Sequence, residues 1–297
     1  MASEHHISHQ FDAELEAIKS RVLAMGGIVE RQIEDAVIAI IDADSQRADE
    51  VVAREKQVNG LEVAVDDEAT KILVKRQPAA SDLRLVLIIT KAVRDLERIG
   101  DEAKKIAKLA LKLTEEGPAP RGYFELRHIG AAVSEMLHDA LDAFTRLDVD
   151  AALEVVRRDK TVDQEYRSAT RELVTYMMED PRSISRVMNI MWALRSLERI
   201  GDHSRNIAEY VFYLVKGQDL RHVGLENIES TVRAGSRAPA GRARAPRRGS
   251  QAVTGSQTGR DRMAFRPEGR NGRQACSRCP RRSATIARIS GLYVMPQ

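Results

Sequence analysis

The chain has 297 residues, 31% of them charged and only 4% aromatic, and its formal net charge of +3 averages two unlike parts. Residues 1–230 carry 32 Lys and Arg against 42 Asp and Glu, a net charge of −10, whereas residues 231–297 carry 15 Arg, no Lys and two acids, a net charge of +13. An acidic body poor in aromatic residues argues against nucleic acid as its partner, a body without cysteine argues against a disulfide framework, and its longest aliphatic run, Leu85 to Ile89, is far short of the ~20 apolar residues of a membrane span.

Helical periodicity predicts an all-α body of six long helices, near 8–43, 46–77, 80–114, 122–147, 149–179 and 182–216. The N-terminal His5, His6 and His9 read as a frayed terminus rather than a metal site. Asp42, Asp44 and Ser45 suit a turn and an N-cap before the second helix, and Gln77-Pro78 ends it because proline disfavours α geometry in the residue before it. Ser81 or Asp82 is expected to cap the third helix, where Val93, Leu96, Ile99, Ala103, Ile106 and Ala110 form the apolar stripe. Gly117-Pro118-Ala119-Pro120 is the strongest break in the body and separates two halves. Glu135-x-x-His138 on the fourth helix has the spacing of a di-iron element, but lacks the second copy such a site needs, so His138 reads as an ordinary surface histidine. Asp180-Pro181 reads as an N-cap with proline at the first helical position, and Met191 and Trp192 on the last helix are expected to pack in the core.

The halves repeat one another. Leu96-Glu97-Arg98-Ile99-Gly100-Asp101 recurs as Leu197-Glu198-Arg199-Ile200-Gly201-Asp202, and Asp35-Ala36 and Glu55-Lys56 correspond to Asp139-Ala140 and Asp159-Lys160. Each half is therefore predicted to be a three-helix unit, at 1–116 and 121–229, with the two packed in tandem.

Glu97 and Asp101 lie one helical turn apart on one face, as do Glu198 and Asp202. Like charges so placed repel, and a cation between them reverses the sign. Glu97 and Asp101 fall beyond the apolar stripe of the third helix, facing a groove or the surface. Gly100 and Gly201, each costing roughly 0.5–1 kcal/mol against alanine in a helix, imply close approach of a helix or ligand. Asp35, Asp139 and Asp163 are further candidate ligands. An all-oxygen set suits Mg, Mn, Ca or Fe better than structural Zn. A solvated acidic face, or neutralisation by Arg98 and Arg199, remains the competing reading of the same residues.

The twin segments, with Phe11 to Glu16, Lys75 to Pro78, Ser81 to Arg84, Met177 to Asp180 and Val215 to Asp219, resemble the PhoU family over residues 7–229. The resemblance implies two three-helix bundles, with Glu97, Asp101, Glu198 and Asp202 as metal ligands for Mg, Mn, Fe or Zn. It implies a cytoplasmic, non-enzymatic, often homodimeric negative regulator of phosphate uptake. Its implied partners are the ATPase subunit of a phosphate ABC transporter and a phosphate-sensing histidine kinase. The alternatives are a carboxylate-bridged metalloenzyme and a metal-free helical scaffold.

Residues 230–297 depart from that pattern. Arg, Gly, Ala, Pro and Ser without apolar periodicity predict a disordered segment, and arginine without lysine, beside a body with 11 lysines, fits a shifted reading frame in GC-rich sequence. Cys276 and Cys279 have C-x-x-C spacing without the partners a metal or redox site requires.

Overall fold

The structure, a computed structural model, describes residues 2–78 and 80–217, with side chains from Gln10 onward. The side chains of His5, His6 and His9, the end of the second repeat, and the basic segment with Cys276 and Cys279 lie outside the described residues. Six long helices carry the fold: α1 Ala2–Asp42, α2 Ser45–Arg76, α3 Ala80–Glu116, α4 Tyr123–Arg146, α5 Val149–Glu179 and α6 Ile184–Lys216. The first starts six residues before its predicted position, since neither Gly nor Pro interrupts Ala2 to His9.

The helix ends follow local chemistry. Ala43 and Leu147 take left-handed φ values of 55° and 54° after α1 and α4. Asp44 then accepts from the Arg47 amide, and Asp148 from the amides of Asp150 and Ala151. The same turn is thus built twice. Asp180 accepts from the Arg182 amide, with Pro181 opening a short 3-10 turn, Pro181–Ser183, before α6. The expected cap on α3 is not formed: Ser81 Oγ bonds to the Asp82 carboxylate instead of a backbone amide. Gly122, at φ 100°, brings the chain so close to Ile190 that a Cβ there would lie 2.4 Å from its Cγ2.

Helices α1, α2 and α3 pack as one bundle and α4, α5 and α6 as the other, and α1 against α4 and α3 against α6 join them. Ile18, Met25, Ile33 and Ile40 of α1, Leu96, Ile99 and Ile106 of α3, and Leu126 and Ile129 of α4 are fully buried. Trp192 is not part of this core. Ile190, Ala193, Leu194 and Leu197 occupy the inward stripe of α6, so residue 192 points outward and is 57% exposed. Met191, by contrast, packs against the core.

The α1–α4 contact rests on two related glycines. A Cβ on Gly26 would meet Leu141 at 2.5 Å, and one on Gly130 would meet Val37 at 2.9 Å. These pairs exchange places under the repeat, which relates residue 26 to 130 and 37 to 141. Gly130→Leu is expected to cost roughly 1–3 kcal/mol by overpacking this contact, read as a lowered thermal midpoint. Gly27→Ala, at an exposed helical position with open space around it, serves as the control and should instead raise the midpoint slightly, by the roughly 0.5–1 kcal/mol that alanine gains over glycine in a helix.

Candidate metal-binding face

The repeat places one acid pair on the outer helix seam of each bundle. In the first, Glu97 and Asp101 project from α3 toward α2, where Val58 lies 3.5 Å from the point a Cβ on Gly100 would occupy. Gln32 Oε1 lies 3.3 Å from the same point and is buried without a partner. In the second, Glu198 and Asp202 project from α6 toward α5, and Gly201 admits Val162 and Asp159 at 3.7 and 3.8 Å. An added Cβ would make only ordinary contacts at Gly201, and at Gly100 only the Gln32 side chain of α1 would have to give, so the packing does not require the close helix approach expected at these glycines.

Burial and neighbouring acids raise the proton affinity of carboxyls on both faces. Burial, then the neighbouring Asp101 and Glu62, pushes the Glu97 carboxyl above its usual range. Glu198 is raised by burial and then by Asp202, with Asp163 and Asp159 adding to it. Asp202, the most open of the group, is raised by the protein mass around it and then by Asp163. Asp159 is pushed up to about 6 by burial, against the pull of Arg205. One oxygen of Glu198 accepts from Arg195 at 2.6 Å, and its other oxygen is buried with no hydrogen-bond partner.

The other predicted ligands have partners of their own. Asp35 is held by Arg47 at 2.9 Å and Arg54 at 2.8 Å, and Asp139 by Arg158 at 2.7 Å. The repeat relates Arg54 to Arg158, so the matched aspartates form matched ion pairs that fasten the first helix of each half to the second. Glu55 pairs with Lys104, and Asp159 with Arg205 at 3.0 Å, another repeated link between second and third helices. Asp163 joins the Glu198 face but also pairs with Arg167 at 3.2 Å. Glu62 and Asp159 were absent from the predicted ligand set. Tyr166 stands where the repeat would put a second Glu62, so self-comparison gave no signal for that residue.

These groups fit a hard cation in chemistry: oxygen donors, raised proton affinity and an orphaned Glu198 oxygen. Among the described residues, however, no three His, Cys, Asp or Glu side chains are gathered as a ready ligand set. A bound cation would have to draw Glu97 from Arg98 at 3.5 Å, and Glu198 from Arg195.

The fold and its faces define a class: an all-α protein of two tandem three-helix bundles, each bearing a glycine-backed acid pair. The PhoU domain model matches residues 22–110 and again 126–211, and the chain belongs to the PhoU family. It is 62% identical over 228 residues to a phosphate-specific transport system accessory protein PhoU homolog of Pseudomonas aeruginosa, covering 77% of this chain and 94% of that protein. It is 50% identical over 227 residues to the Escherichia coli phosphate-specific transport system accessory protein PhoU, covering 76% and 94%. Among solved structures, PhoU from Pseudomonas aeruginosa is similar with a TM-score of 0.69 at 63% identity, covering 70% of this chain and all of that one. The phosphate transport system regulatory protein PhoU from Streptococcus pneumoniae follows with a TM-score of 0.65 at 30% identity, covering 70% and 98%.

Proposed function

We propose that the chain is a negative regulator of phosphate uptake and phosphate-starvation signalling, a non-enzymatic helical adaptor at the cytoplasmic face of the membrane. Its partners in this reading are the ATPase subunit of the phosphate ABC transporter and a phosphate-sensing histidine kinase, and its working form is a homodimer. Membership of a family whose named relatives are accessory proteins of phosphate transport supports the regulatory part. Among the described residues, no helix is long and apolar enough to cross a membrane, so attachment would run through partners.

The observation that carries the metal part is the duplicated acid pair, whose glutamates are raised by burial and by neighbouring acids. Glu97 and Asp101, with Glu62 beside them, would hold one cation, and Glu198, Asp202 and Asp163 another. A cation supplies charge neutralisation and free coordination positions for an oxygen ligand. The chain itself supplies rigidity: buried helices on either side fix the spacing between the two faces.

Elemental analysis of the full chain, purified without chelator or His tag, tests this. Stoichiometric Mg, Mn, Fe or Zn is expected, and Glu97→Ala, Asp101→Ala, Glu198→Ala and Asp202→Ala together should abolish it while leaving helicity unchanged. Metal content that survives the fourfold variant, or a metal-free wild type, returns these acids to a solvated face. Binding of the wild type to neither proposed partner would overturn the adaptor reading itself.

A further inference from the structure

Helices α3 and α6 run antiparallel, as the Arg84–Tyr213, Asp95–His203 and Lys112–Asn189 contacts show in sequence. At the end of this seam where residue 112 faces 189, the helices leave an open cleft of about 550 Å³. Lys105, Lys108 and Lys112 form its α3 rim and Arg195 and Arg199 its α6 rim. Leu109, Ser196 and the exposed Trp192 line it between the rims. Glu102, almost fully buried, bonds to Lys105 at 2.9 Å and Arg199 at 3.1 Å, and holds one cation from each rim in place.

The repeat provides an internal comparison, because the opposite end of the same seam is closed. There Asp95 stands in the place of Ser196, and His203, Asn206 and Tyr210 converge on its carboxylate. Tyr213 stands in the place of Lys112, and Arg84 and Lys91 lie over its ring. The fold can thus seal this seam with its own side chains, and at the Trp192 end it does not.

We propose that this cleft is the docking site for an acidic amphipathic helix of a partner protein. A groove between two helices accepts a third, and cations spaced by three and four residues along one rim match acids at helical spacing on the incoming helix. Its apolar stripe would lie on Leu109 and Trp192, tryptophan being among the residues that most often anchor interfaces. The cleft is a cationic patch on a body whose net charge is −10, so charge selects the partner rather than merely attracting it. The same charge disfavours this chain's own basic residues 231–297 as the occupant. The inference rests on the adaptor reading and deepens it by giving one partner a surface. Its test is separate, because it alters only Lys108 and Lys112 and leaves in place Arg195, which the cleft shares with Glu198 of the metal face.

Trp192 is the only tryptophan in the chain, so its fluorescence reports this cleft directly. The full chain is titrated with a helical peptide of about 18 residues, five turns, carrying leucine on one stripe and glutamate on both flanks. A saturable blue shift that weakens with added salt is expected. Lys108→Glu with Lys112→Glu should reduce the affinity by about tenfold or more while leaving helicity and the metal content unchanged. If that variant loses helicity, Lys108→Gln with Lys112→Gln removes the charge alone and should act in the same direction. The absence of a saturable shift, or equal binding of a lysine-flanked peptide, overturns the proposal. So does a shift produced only by anionic phosphatidylglycerol vesicles, which makes the cleft a lipid contact, or one produced by raising protein concentration alone, which makes it a contact between copies.

Discussion

Asp95→Ala is expected to lower the unfolding free energy by about 3–5 kcal/mol, the range for breaking a buried, hydrogen-bonded charge group. Asp95 is 8% exposed and comes from α3, whereas all three of its donors come from α6. Its Oδ1 accepts from His203 Nδ1 at 2.8 Å and from Asn206 Nδ2 at 3.2 Å, and its Oδ2 accepts from the Tyr210 hydroxyl at 2.7 Å. An ionised carboxylate can only accept, so Nδ1 of His203 is the donor in this bond. Alanine removes the common acceptor of three side chains at once and with it a polar tie between the two bundles. Asp95→Asn keeps the shape but turns an NH₂ toward a donor, and should fall between wild type and alanine. Urea unfolding of the three proteins measures the effect, and a loss below about 1 kcal/mol for alanine would place Asp95 among ordinary surface acids.

Residues whose role follows from their own helix were legible in the sequence. The spacing of Val93, Leu96, Ile99, Ala103 and Ile106 gave α3 and its buried stripe, and all five are fully buried. The identical segments ending in Asp101 and Asp202 gave the tandem bundles. Residues whose role depends on a second helix were less legible. Asp35 and Asp139 form a repeated pair, but repetition alone does not separate a shared ligand from a shared ion pair; the matched arginines that hold them, Arg54 and Arg158, lie 19 residues downstream on the next helix. Asp95 lies one residue before the repeated segment, and its counterpart is Ser196, so self-comparison passes over it. Trp192 was assigned to the core because large aromatics usually bury, whereas its angular position beside Ala193 and Leu194 places it on the outer face.

Asp159→Asn should stabilise the metal-free protein at pH 7, by up to about 3 kcal/mol, and the gain should vanish near pH 4. Asp159 is 3% exposed, and burial lifts its carboxyl from 3.8 to about 6 despite the Arg205 guanidinium 3.0 Å away. An acid with a raised folded-state pKa holds its proton more tightly in the fold than in the unfolded chain. Between about pH 4 and pH 6 the native state therefore carries more protons, and stability falls as pH rises through that window. Above it the buried charge is fully present and its unfavourable contribution is constant. Asparagine imitates the protonated acid at every pH, so the difference between variant and wild type follows the titration of this group together with its coupling to Glu198, Asp202 and Asp163, while distant carboxylates cancel. Arg205 keeps Glu209 as a partner at 2.9 Å, which limits the loss on the arginine side. Adding Mg, Mn, Fe or Zn distinguishes the two readings of the face: if Asp159 and its neighbours Asp163, Asp202 and Glu198 share a cation, the metal must stabilise wild type more than Asp159→Asn and reverse their order at pH 7. If the order is the same with and without metal, Asp159 belongs to the Arg205 ion pair alone, and the second bundle's face is Glu198, Asp202 and Asp163 without it.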